Sequence, residues 1–115
     1  MIPGLNSLLY KQKGTAGGFS AMAAPTAVFG FGSGTVTTSP TEADPMGGTG
    51  PYSYSWDYIS GDGSISIDAA GNATTTFTAT VNSGDNFSAN FACTITDSTT
   101  ATATTASVYA NFTGP

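Results

Sequence analysis

From Tyr52 to Tyr58 every second residue is aromatic (Tyr52, Tyr54, Trp56, Tyr58), and every residue between them (Ser53, Ser55, Asp57) is polar. In an extended chain this spacing puts four rings on one face and the polar groups on the other, an arrangement that a helix cannot give. The segment is the cleanest strand in the sequence and carries the largest apolar load, so it is expected at the centre of a sheet.

The same period governs everything after Pro25. Phe29 and Phe31 share one face of a first strand, while Gly30 and Gly32 leave the other face bare enough for another backbone to approach. A Thr-rich segment follows over 35–43, and the 45–51 stretch, with Gly47, Gly48 and Gly50, is a turn. Ile65 and Ile67 make a short strand. Thr75, Phe77, Ala79 and Val81 point one way along the next strand, and Phe91, Cys93 and Ile95 face inward on another. The last strand begins with Ala101 and Ala103 on one parity and ends with Val108, Ala110 and Phe112 on the other, which predicts a β-bulge between them. Seven or eight short strands with turns every eight to twelve residues, or about that, predict an all-β, mainly antiparallel sandwich rather than a barrel or propeller. No helix is expected beyond the first quarter of the chain.

That first quarter is different. Gly4, Gly14, Gly17 and Gly18 interrupt a few scattered apolar residues, so residues 1–25 read as an arm and residues 26–115 as the sandwich. Leu5, Leu8 and Leu9 fall at i, i+3 and i+4, enough for one helical turn that is marginal alone in water. Extended, twenty-five residues reach on the order of 80 Å. Burial of Leu5, Leu8, Leu9 and Tyr10 contributes about 1.5–3 kcal/mol each, against about 1–2 kcal/mol per ordered backbone residue. One arm holds weakly; many copies on a lattice hold strongly. Ile2, Leu5, Leu8, Leu9 and Tyr10 are therefore the expected partner-docking residues. The opening does not read as a secretory leader, because its Lys residues follow the first apolar stretch, and no apolar run approaches the roughly 20 residues of a membrane helix.

Charge narrows the function. Asp, Glu, Lys and Arg make up 8% of the 115 residues, and the net charge is -5. Both cations, Lys11 and Lys13, lie in the arm, so no basic cluster exists to displace counterions from a nucleic acid. The chain has no His and no Arg, and Glu42 is its one Glu, which removes Ser-His-Asp and Cys-His constellations and Arg phosphate clamps. Asp57, Asp62 and Asp68 are near in sequence, but Asp62 and Asp68 stand in Gly-containing turns where Asp makes local hydrogen bonds. No D-x-D-x-D-G loop is present for calcium. Cys93, alternating with Phe91 and Ile95, is expected to be a small buried hydrophobe and cannot form an internal disulfide. Asn72, Asn86 and Asn111 begin Asn-x-Ser/Thr sequons, weak indicators in a chain so rich in Ser and Thr. No enzyme activity, cofactor or metal is expected. Tyr109, out of phase with Val108, Ala110 and Phe112, is the best candidate for an exposed ring that contacts a glycan.

Gly-Gly-Thr-Gly-Pro-Tyr-Ser-Tyr-Ser-Trp at 47–56, Ser-Gly-Asp at 60–62, Ala-Thr-Thr-Thr-Phe-Thr-Ala at 73–79 and Phe-Ala-Cys-Thr-Ile-Thr-Asp at 91–97 carry a resemblance. The stretch from Gly47 to Phe112 resembles the immunoglobulin-like and PKD-like domains of bacteria, and especially of tailed-bacteriophage virion proteins. The resemblance implies an immunoglobulin-like antiparallel β-sandwich of about seven strands, with Trp56 and Cys93 at the places of the core Trp and the second core Cys. The partner Cys is missing, so packing of Trp56, Phe77 and Phe91 must pin the sheets. Phe91 stands where that family often has a corner Tyr. The implied role is a virion structural protein, a capsid decoration or tail accessory made in the bacterial cytoplasm, whose arm grips capsid or tail subunits, with homo-oligomer or lattice copies and neither nucleic acid nor membrane as partner. The alternative is a carbohydrate-binding or adhesion module at a cell surface.

Overall fold

A computed structural model describes residues 18–115. Eleven short strands follow one another: β1 (Ser20–Ala24), β2 (Ala27–Phe31), β3 (Gly34–Thr37), β4 (Thr41–Met46), β5 (Ser53–Gly61), β6 (Ser66–Ile67), β7 (Thr74–Thr75), β8 (Phe77–Val81), β9 (Asn86–Thr96), β10 (Thr102–Thr104) and β11 (Val108–Thr113). No helix occurs among the described residues. The number of expected segments rises to eleven because several long strands are each broken in two.

One layer is centred on β9, with β5 on one side and β10, then β11, on the other; β2 adds outside β11 in parallel register. The opposite layer holds two three-stranded sheets, β1–β4–β7 and β3–β8–β6. These run on as one layer, since β3 and β4 are halves of a strand interrupted around Pro40, which has no N–H to give a ladder. Thr38 bridges the break: its N–H donates to the Phe77 carbonyl (2.9 Å) and its hydroxyl accepts from the Phe77 N–H (3.2 Å). The chain crosses between layers at Pro25, whose carbonyl accepts the Thr41 hydroxyl at 2.7 Å.

Four expectations change. Residues 20–24 belong to the sandwich, because β1 pairs residue for residue with β4 and buries Ala23. Alanines carry so little apolar area that this alternation is faint in the sequence. The aromatic strand β5 lies at an edge; the centre is β9, whose inward Ala89, Phe91, Cys93 and Ile95 are fully buried. The Tyr residues of β5 suit an edge, since a ring can pack while its hydroxyl stays outside the core. Tyr58 is 47% exposed and donates to the Gly61 carbonyl, and Tyr52 donates to the Gly47 carbonyl. Gly30 turns inward, where an added Cβ would meet the side chains of Val36 (2.8 Å) and Phe112 (2.9 Å), so side chains rather than a backbone approach it. Between β10 and β11 the chain leaves the ladder over residues 105–107 in place of a one-residue bulge.

The core is the stack the sequence called for. Phe77 and Phe91 lie face to face with centroids 4.3 Å apart, and Trp56 meets Phe77 edge-on at 6.2 Å. The Trp56 indole N–H donates to the Asn72 carbonyl at 2.9 Å, so the one polar atom of the ring is satisfied. Trp56 is also the register partner of Cys93, which is free and fully buried.

Candidate functional site

The expected docking residues Ile2, Leu5, Leu8, Leu9 and Tyr10 lie outside the described residues. Where the arm joins the sandwich is nonetheless visible. Gly18 lies against Gly47, whose φ of +81° and 2.6 Å approach of a built Cβ to the Gly18 carbonyl oxygen leave room for no side chain. Phe19 stacks on Tyr52 with centroids 6.0 Å apart.

Asp97 ties this pole together. The residue is buried and its carboxylate accepts from the Thr99 N–H (2.9 Å) and hydroxyl (2.7 Å), the Ala101 N–H (3.0 Å) and the Thr49 N–H (3.1 Å). The Thr99 hydroxyl chiefly, and the three N–H groups with it, hold its pKa below the ordinary 3.8 against the opposing effect of burial. In the sequence, 97–100 reads as no more than a tight connection between strands. The Asp-x-Ser/Thr spacing was the available sign, for Asp62 Oδ1 likewise accepts from the N–H and hydroxyl of Ser64, which lower its pKa. Asp68 departs from local turn chemistry: its Oδ2 accepts the hydroxyls of Thr76 (2.6 Å) and Thr78 (2.7 Å).

Each of the other candidate residues has a definite setting. Cys93 is sealed in the core, where burial pushes its thiol pKa up, the reverse of what a nucleophile needs. Asn86 and Asn111 of two sequons touch each other, Asn111 Nδ2 donating to Asn86 Oδ1 at 3.1 Å. Among the described residues no three metal-ligating side chains converge and no pocket forms.

Tyr109 is exposed, as its phase required, but it does not stand alone. Register pairs set Tyr109, Asn111 and Thr113 of β11 beside Ala27, Phe29 and Phe31 of β2. Phe29 is 61% and Phe31 72% exposed, and Phe29 meets Tyr109 edge-on with centroids 6.5 Å apart. The rings therefore form an apolar strip along the rim of the sheet rather than a flat platform. The sequence paired Phe29 with Phe31 correctly on one face but did not reveal that this face is the outer one.

No family model matches the chain, and no curated protein matches it in sequence. Among solved structures, it is similar to the PKD domain of human KIAA0319, with a TM-score of 0.51 and 14% identity over 84% of this chain and 80% of that one. The M1 domain of titin also aligns, with a TM-score of 0.38 and 8% identity over 85% of this chain and 95% of that one. At such identity the likeness to the PKD domain speaks of architecture alone. Two layers, a buried Trp on the strand beside the central one and the shared architecture make residues 18–115 an immunoglobulin-like, PKD-like β-sandwich.

Proposed function

We propose that the chain is a non-catalytic structural module of a tailed-bacteriophage virion, a capsid decoration or tail accessory held by its N-terminal residues. The observation that carries the proposal is the construction of the pole where those residues enter. Gly18 against Gly47 and Phe19 on Tyr52 seat the start of the sandwich on the 47–52 loop, and the four donors around Asp97 tie that loop to the 97–101 loop. A tether attached there is joined to a rigid body rather than to a yielding loop. The motifs resembling phage virion domains and the sparse charge of a Ser- and Thr-rich surface support the same reading.

The test is the composition of particles. Virions made by the genome encoding this chain are purified and analysed by mass spectrometry, and the chain is expected at a copy number comparable to a coat or tail subunit. Substituting Leu5, Leu8 and Leu9 together by Asp should leave a folded protein that is missing from particles. Absence of the unaltered chain from purified virions, or full incorporation of the triple variant, overturns the proposal.

A further inference from the structure

The rim strand β2 is uncharged and, among the described residues, has no strand on its outer side. Sheet edges in soluble proteins are usually blunted by Lys, Pro or a covering loop, because unpaired backbone groups recruit other strands. From Thr26 to Gly34 the chain has no charge and no Pro, and no strand among the described residues pairs with the outer side of β2. The bonds to β11 use one parity of β2: Thr26 accepts from the Tyr109 N–H at 2.8 Å and Gly32 donates to the Thr113 carbonyl at 3.1 Å. Alternation in the ladder then turns the N–H and C=O of Ala27, Phe29 and Phe31 to the outside.

We propose that this edge pairs with the β2 edge of a second copy, antiparallel and about a twofold axis at Phe29. The register is self-complementary. Phe29 faces its own equivalent and Ala27 faces the partner copy's Phe31, so all three outward residues fall in hydrogen-bonded pairs and no outward group is left over. Charge selects a second copy over other occupants. All seven acidic residues and neither Lys lie within the described sandwich, so two copies repel wherever acids meet; β2 and β11 carry none of them and let two such bodies approach. An acidic or basic partner would find no counter-charge on these strands.

The size of the contact sets its strength. Phe29 and Phe31 offer roughly 250–300 Å² of ring surface, and the strand edge adds a comparable amount, below the roughly 800 Å² per partner of a stable complex. The pair is therefore weak in solution and becomes strong where copies are held close together. It does not depend on the chain belonging to a virion.

Sedimentation of the full chain from about 10 μM to about 1 mM should show the average mass rising toward that of a dimer. Amide exchange at Ala27, Phe29 and Phe31 should slow several-fold over that range, while Val28 and Gly30 are protected throughout. Phe29→Lys and Phe29→Glu should each stay monomeric, since like charges then face each other across the axis, and an equimolar mixture should pair again. That rescue separates a lost interface from a damaged fold. The proposal is overturned if the chain is monomeric at every concentration, if Phe29→Lys dimerises as the parent does, if Leu8→Asp with Leu9→Asp abolishes association, or if a glycan array shows Tyr109-dependent binding by a monomer.

Discussion

Thr105 and Cys93 exchange two hydrogen bonds, but only one of them is backbone to backbone. The Thr105 N–H donates to the Cys93 carbonyl at 2.9 Å, and the Cys93 N–H donates to the Thr105 hydroxyl at 3.1 Å. Thr38 does the same for Phe77 on the opposite layer, and each hydroxyl then donates to the carbonyl of the next residue, Ala106 or Ser39. A Thr at each break thus stands in for a missing ladder carbonyl, so a strand can change direction without orphaning a buried N–H.

Replacing Thr105 by Val keeps the shape and removes the acceptor. The buried Cys93 N–H then has no partner, which costs about 1–3 kcal/mol. Urea denaturation should show that loss for Thr105→Val and little change for Thr105→Ser, which keeps the hydroxyl. Equal stability of Thr105→Val and the parent would mean that the Cys93 N–H finds another acceptor.

Phe77 is the keystone of the aromatic stack, with Phe91 on its face and Trp56 against it. Phe77→Ala should cost about 3–5 kcal/mol, a large part of the roughly 5–15 kcal/mol of a domain this size, since no disulfide shares the load. Thermal unfolding followed by Trp56 fluorescence measures it directly.

Gly30 tests the opposite fault, overpacking. A methyl group there would lie inside contact distance of Val36 Cγ1 at 2.8 Å and Phe112 Cδ2 at 2.9 Å, both in the core. Gly30→Ala should destabilise by about 1–3 kcal/mol, although alanine ordinarily favours an ordered chain over glycine. A stabilised Gly30→Ala protein would show that the two side chains can move aside.

Much of this architecture was legible because apolar alternation is a local property. Thr75, Phe77, Ala79 and Val81, and Phe91, Cys93 and Ile95, are buried as their spacing required. Strand order is not local: nothing between Tyr52 and Tyr58 says that β5 has one sheet neighbour, and its tyrosines serve an edge as well as a centre. Phe29 and Phe31 alternate as core residues do, yet Val28 and Gly30 face inward, because Phe112 fills the space that a larger side chain at position 30 would need. Asp97 escaped notice because a carboxylate whose four donors come from two stretches of chain far apart in sequence leaves only a short Asp-x-Thr trace in one of them.

Asp97 makes the arm-bearing pole sensitive to acid. The Thr99 hydroxyl, then the N–H groups of Thr49, Thr99 and Ala101, depress its pKa in the folded protein below the 3.8 of an unconstrained carboxyl. A depressed folded pKa gives stability that is complete above the unfolded value and is lost as pH falls below about 4 toward the folded pKa. Asp62, depressed by Ser64, acts in the same direction at the far end of β5. Urea midpoints measured between about pH 6 and about pH 2 should fall in the acid range for the parent. Asp97→Asn should start lower at pH 6, having exchanged a charged acceptor for a neutral one, and should lose less on acidification. Because Asp97 ties the loop packed beside Gly18 and Phe19 to the 97–101 loop, amide exchange at Thr49, Thr99 and Ala101 should quicken in Asp97→Asn before the rest of the sandwich responds. Parallel acid profiles for the two proteins would show that this carboxylate does not carry the pH dependence.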